Sequence, residues 1–131
     1  MGLAERRAVK NFSDSDFSKL KAKIDAVAGF DVPFDVAWDT LAEDDYAHML
    51  EDSIPKVYFK PILEAFREIA VDDMGKEALK EGVENVVVRW TGEKSIDFED
   101  GVLTVDHSPV SNVDRWEDRR DSIQKALEEA L

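Results

Sequence analysis

A chain of 131 residues with a formal charge of −13 and no cysteine has no access to disulfides, thiolate metal sites or thiol nucleophiles. Its length fits one domain, residues 1–131, able to bury roughly two thirds of the surface its unfolded form exposes. Its acidic balance repels phosphate backbones and anionic lipid heads, so neither nucleic acid nor membrane is an expected partner.

No apolar run approaches the length of about 20 residues needed to span a bilayer. The first residues, Met-Gly-Leu-Ala-Glu-Arg-Arg-Ala-Val-Lys, lack the apolar core of a secretory signal. Position 6 is Arg, so the myristoylation pattern fails after Gly2. A cytoplasmic location is the expectation.

Residues 1–11 are mixed and polar and read as a frayed end or a short helix. A helix is predicted from Phe12 to Gly29. Ser13 and Asp16 make a capping box, with Phe12 and Phe17 at the staple positions. Its buried stripe is Phe17, Leu20, Ile24 and Val27, and Gly29 is its left-handed cap. From Val32 to Trp38 the period becomes two, with Val32, Phe34, Val36 and Trp38 on one side. Pro33 cannot donate a ladder bond, which places this segment at a sheet edge or a strand start.

Thr40 and Glu43 form a second capping box. The predicted helix reaches Asp52, with Leu41, Tyr46, Met49 and Leu50 inward. Pro61 predicts a kink or break near Lys60 between Pro55 and Ala70. Ile62, Phe66 and Ile69 form the stripe there. Asp72 or Asp73 caps a short helix ending at Gly82.

Asn85 to His107 is the most regular stretch. Asp100-Gly101 suits a two-residue type I′ turn, which needs φ > 0 at both centres. Folding there pairs Glu99 with Val102, Phe98 with Leu103, Asp97 with Thr104 and Ile96 with Val105, so one face is Ile96, Phe98, Leu103 and Val105. Val86, Val88 and Trp90 form a matching face upstream, and Thr91-Gly92-Glu93-Lys94 turns the chain back. A three-strand meander is predicted. Ser111 and Asp114 cap a last helix burying Val113, Trp116, Ile123 and Leu127, with Arg119, Arg120 and Lys125 on or near its polar side. The expected fold is α+β: a mainly antiparallel sheet of about four strands, one early edge strand plus the meander, covered by helices.

The unusual feature is charge. Between Lys23 and Lys56 there is no Lys or Arg but nine acids. Asp35, Asp39, Glu43, Asp44, Asp45, Glu51 and Asp52 are the candidate partner-binding residues. They can serve a basic protein or simply guard an edge strand against aggregation. Asp44, His48 and Asp52 share a helical face, but two turns separate the carboxylates, too far for one ion, and no metal site is assigned. No glycine-rich phosphate loop occurs, and no cofactor is implied. Asp106 and His107 point to opposite faces and are not a dyad; no G-x-S-x-G elbow accompanies Ser108 or Ser111. No catalytic residue is assigned. The leading expectation is a non-enzymatic interaction protein, such as an inhibitor or immunity-type factor, that binds a basic partner. The alternative is a small-molecule-binding or enzymatic domain with a pocket between sheet and helices, lined by Trp38, Tyr46, His48, Trp90 and His107.

Overall fold

A computed structural model describes residues 2–131; Met1 lies outside the described residues. The chain is α+β, and the N-terminal segment is helical rather than frayed. Helix α1 (Leu3–Asp14) buries Ala8, Val9 and Phe12; Ala8 and Val9 fall in the stretch read from sequence as mixed and polar. Ser13 sits inside α1. The break falls at Ser15, whose backbone leaves the helical region (φ −122°, ψ −72°), and α2 (Asp16–Ala28) follows. The predicted cap at Ser13 therefore does not form. Gly29 ends α2 at φ 84° as expected. Beyond it, the Asp25 carboxylate accepts from the Val32 N–H at 2.9 Å and from Lys21 Nζ at 2.7 Å, fixing the exit from the helix.

Strand β1 is short, Phe34–Val36, and Trp38–Leu41 is a 3-10 turn. The helix expected over residues 40–52 begins only at α3 (Leu50–Ile54). Thr40 is no cap. Its Oγ1 donates to the Ala37 carbonyl at 2.6 Å and accepts from the Trp90 N–H at 3.0 Å, tying this turn to the sheet. Tyr46, expected inward, is 38% exposed.

The chain does not break at Pro61. It runs helically from Leu50 to Ile69 through a π-helical turn, Pro55–Phe59, into α4 (Lys60–Ile69). The Lys60 N–H bonds the Pro55 carbonyl five residues back. Pro61 has no N–H to offer either to Lys56, five residues back, or to Val57, four back. The Arg119 guanidinium takes both carbonyls, Nε to Val57 at 2.8 Å and Nη2 to Lys56 at 3.4 Å. Helix α5 (Asp73–Gly82) is capped by Asp72, which accepts from the Gly75 N–H at 2.8 Å.

Strands β2 (Asn85–Arg89), β3 (Ser95–Glu99) and β4 (Val102–Asp106) complete a four-stranded sheet of order β1-β2-β4-β3. The β3–β4 hairpin has the predicted register, extended by Ser95 opposite Asp106. Asp100 (φ 51°) and Gly101 (φ 80°) supply the turn. The meander and the mainly antiparallel sheet do not form. β4 inserts between β2 and β3, so β1–β2 and β2–β4 are parallel and only β3–β4 is antiparallel. The reason is solvation. β3 carries Asp97 and Glu99 and is tolerable at an edge, whereas Val102, Leu103 and Val105 suit the interior of the sheet. The five residues from Trp90 to Lys94 reach about 16 Å when extended, enough to cross the roughly 10 Å of two strand spacings.

The capping box at Ser111 is also absent: residues 109–115 form turns, and α6 runs from Trp116 to Ala130. Val86, Val88, Leu103 and Val105 point into the helical layer and are buried. Between α1, α2, β1 and the π turn lies an aromatic cluster. Phe59 stands 5.3–6.3 Å, centroid to centroid, from Phe17, Phe12, Phe34 and Trp38. Phe59→Ala should therefore lose about 3–5 kcal/mol of unfolding free energy in urea denaturation. Arg119→Met should cost at least ~2 kcal/mol by leaving buried carbonyls unpaired. Adding Pro61→Ala restores one N–H and should recover about 1 kcal/mol of that loss in a double-mutant cycle; strictly additive effects would contradict this account of the π turn.

Candidate functional site

A cavity of about 460 Å³ opens between the sheet and α6. Lys94, Ser95 and Ile96 line it at the start of β3, His107 lines it just beyond β4, and Asn112, Arg115, Asp118, Arg119 and Ser122 close the helical side.

Arg119 was expected on the polar side of α6 but is 5% exposed. It falls four and eight residues before Ile123 and Leu127, on the buried stripe itself. Beyond the two π-turn carbonyls, its Nη1 donates to Asn112 O at 2.8 Å and its Nη2 to Val113 O at 3.0 Å. No carboxylate lies within salt-bridge distance among the described residues. The charge is thus buried among carbonyl dipoles without a counter-ion. Burial pulls its pKa down, while Tyr58 and Asp118 act the other way.

Asp106 and His107 diverge as alternation requires. Asp106 is fully buried on the outer side of the sheet. It accepts from the Thr91 N–H at 2.9 Å, from the Thr91 hydroxyl and from Arg89 Nε at 3.2 Å. Burial alone would raise its pKa; the hydrogen bonds from Thr91 and Arg89 outweigh that and hold it below the usual carboxylate range. This carboxylate fastens the turn after β2 to the end of β4.

His107 is 3% exposed. Its carbonyl accepts from the hydroxyl of Tyr58 on the π turn. Its Nδ1 lies 2.7 Å from the Ser108 carbonyl, which assigns the proton to Nδ1 and leaves Nε2 as an acceptor. Nε2 has no hydrogen-bond partner among the described residues, and no fully buried side-chain nitrogen or oxygen there lacks one. Nε2 therefore keeps its solvent access, and the cavity supplies it. Burial lowers the pKa of His107, and Arg119 and Lys94 lower it further, against a hydrogen bond to Ser108 and the charge of Asp106.

The other residues expected around one pocket are dispersed. Trp38 lines a separate groove of about 250 Å³ with Val9, Ala42, Arg6, Lys10 and Asp39. Trp90 lines a third, about 290 Å³, with Asp39, Glu43 and Asp44. Tyr46 and His48 stack on each other with centroids 6.3 Å apart and line none of the three. Asp44 and His48 lie before the first turn of α3, so the helical face they were to share with Asp52 does not exist.

The acids do gather on one stretch. Asp35 lies on β1, Asp39 in the 3-10 turn, Glu43, Asp44 and Asp45 in the irregular segment, and Glu51 and Asp52 in the first turn of α3. All are exposed except Glu43, which is half-buried. Asp44 accepts from the Gly2 N–H at 3.2 Å. Among the described residues, no Lys or Arg lies within salt-bridge distance of Asp35, Asp39, Glu43, Asp45, Glu51 or Asp52. No group of three or more His, Asp or Glu among the described residues is arranged to hold a metal. No helix there is long and apolar enough to cross a membrane.

No family model, curated protein or solved structure matches the chain.

Both titrating groups at the end of β4 tie stability to pH with the same sign. His107 and Asp106 have folded-state pKa values below their ordinary ones, so each contributes stability that is full above its unfolded value and lost as pH falls through its folded value. The urea midpoint should begin to fall as pH drops below about 6.5, the ordinary value for His, and fall again below 3.8, the ordinary value for Asp. His107→Gln should abolish the first decline and keep the second.

Proposed function

We propose that this protein is a non-enzymatic binding module whose acidic face, Asp35 to Asp52, receives a basic protein partner, in the manner of an inhibitor or immunity-type factor. One observation supports it most: among the described residues, six acids of that face have no Lys or Arg within salt-bridge distance. Elsewhere Lys21 bridges both Asp25 and Asp31, and Lys10 meets Asp14. Two of these acids border grooves with apolar side chains in their walls: Asp39 lines one with Val9, Trp38 and Ala42, beside Arg6 and Lys10, and Asp39 and Glu43 line another with Trp90. Apolar anchor points beside a charged rim are the anatomy of a recognition surface, and the field of the rim would speed encounter with a positive partner.

A second reading is favoured by the cavity beside His107. A volume of about 460 Å³ is within the range of small-molecule sites. In this reading the ligand lies between the sheet and α6, and the tryptophans remain packing residues.

The first reading is tested by capture from lysate of the native host at low and high salt, with a charge-reversed variant alongside. Asp39→Lys, Glu51→Lys and Asp52→Lys are the substitutions of choice. Asp45 has φ 70°, where Lys would be strained, and Asp44 holds the N-terminal backbone. A stoichiometric basic protein should be captured and lost at high salt. The triple variant should weaken its binding at least ~100-fold, about 1 kcal/mol per reversed charge. Binding of the captured protein that is indifferent to both salt and reversal would overturn the reading.

A further inference from the structure

We propose that the cavity between β3 and α6 is a binding site for the oxyanion head of a small ligand, a phosphate-type or carboxylate group. The inference rests on the second reading above and is independent of the acidic face. The chain carries 30 acids against 17 Lys and Arg, yet this cavity reverses that balance. Lys94, Arg115 and Arg119 line it against Asp118 alone. Arg115 and Asp118 meet only at 3.8 Å, so their mutual neutralisation is weak.

Arg119 makes the site more than a patch of surface charge. Its guanidinium is buried and held by four carbonyls, with no carboxylate within salt-bridge distance among the described residues. A guanidinium has five N–H donors. Four are used, which leaves one on Nη1. A buried, uncompensated cation is costly, and an anion in the adjoining cavity offsets that cost. Ser95, Asn112 and Ser122 add polar side chains to the wall.

His107 makes the site responsive to pH. Arg119 and Lys94 are the cations acting on it, Asp106 is the opposing carboxylate, and Asp106 is engaged by Thr91 and Arg89. Neutral His107 presents only a lone pair at Nε2. Protonated, it presents a donor. An oxyanion therefore favours protonation of His107, and protonation favours the oxyanion.

The chain has two histidines, and His48 is exposed and lines none of the cavities described above, so it serves as an internal reference. Sulfate, which does not titrate in this range, is added at constant ionic strength while the ring resonances of both histidines are followed by NMR. The His107 signals should shift saturably and those of His48 should not. Affinity should be roughly tenfold higher at about pH 5.5 than at about pH 8. The double variant Lys94→Asn, Arg115→Ala should bind sulfate at least ~10-fold more weakly, one charged hydrogen bond being worth about that factor. Asn is chosen because residue 94 has φ 49°. Acetate in place of sulfate separates a carboxylate head from a phosphate-type one. Absent or parallel shifts of the two histidines with both anions would overturn the proposal, as would unchanged binding by the double variant. A neutral fragment that moves His107 where neither anion does would overturn it too, while leaving the cavity a ligand site.

Discussion

The structure depends on a debt created inside one helix. Pro61 cannot donate a backbone hydrogen bond, so the Lys56 and Val57 carbonyls, five and four residues back, lose the donor that residue 61 would otherwise give one of them as the π turn passes into α4. Both carbonyls face α6, and Arg119 answers them. Tyr58, from the same turn, reaches the carbonyl of His107 at the end of β4. One irregular turn thus fastens the central helix to the last helix and to the sheet. Its directional bonds act where apolar packing alone would permit sliding.

The same arrangement makes the cavity. Holding Arg119 in the wall sets α6 against the end of β4, where His107 lies, and leaves space beside Lys94 and Ser95. A residue that satisfies backbone groups on one side brings uncompensated positive charge to the other. The acidic face has a different origin. It consists of side chains on β1, the 3-10 turn, an irregular segment and the start of α3, none of them needed for burial. The two surfaces carry charge of opposite sign.

Legibility followed the range of the interaction. The β3–β4 register was readable because a two-residue turn with positive φ and strict alternation fix it locally. Gly29 and Asp72 were readable as caps for the same reason. The helix expected from Thr40 was not found because a local capping pattern lost to a tertiary bond from Trp90 to the Thr40 hydroxyl. Arg119 was misread by its residue type, although its spacing to Ile123 and Leu127 placed it on the buried stripe and Pro61 signalled carbonyls in need of a donor. Of the residues expected around one pocket, only His107 lines the cavity beneath α6; the indoles of Trp38 and Trp90 pack against the core elsewhere.

By itself the sequence determined the α+β class, the hairpin, most of the buried faces and the acid-rich interval, all of which rest on periodicity, turn chemistry and composition. Strand order was left to the tertiary structure. The link from Trp90 to Lys94 serves β2–β3 adjacency and β4 insertion equally well, since β3 runs antiparallel to β2 in both. What decides between them is which strand can lose water on both edges, together with Asp106 binding Thr91 and Arg89 across the β2–β4 pair. The cationic cavity belongs to the same category. Lys94, His107, Arg115 and Arg119 meet only after α6 has docked on the π turn, and no local pattern records that meeting.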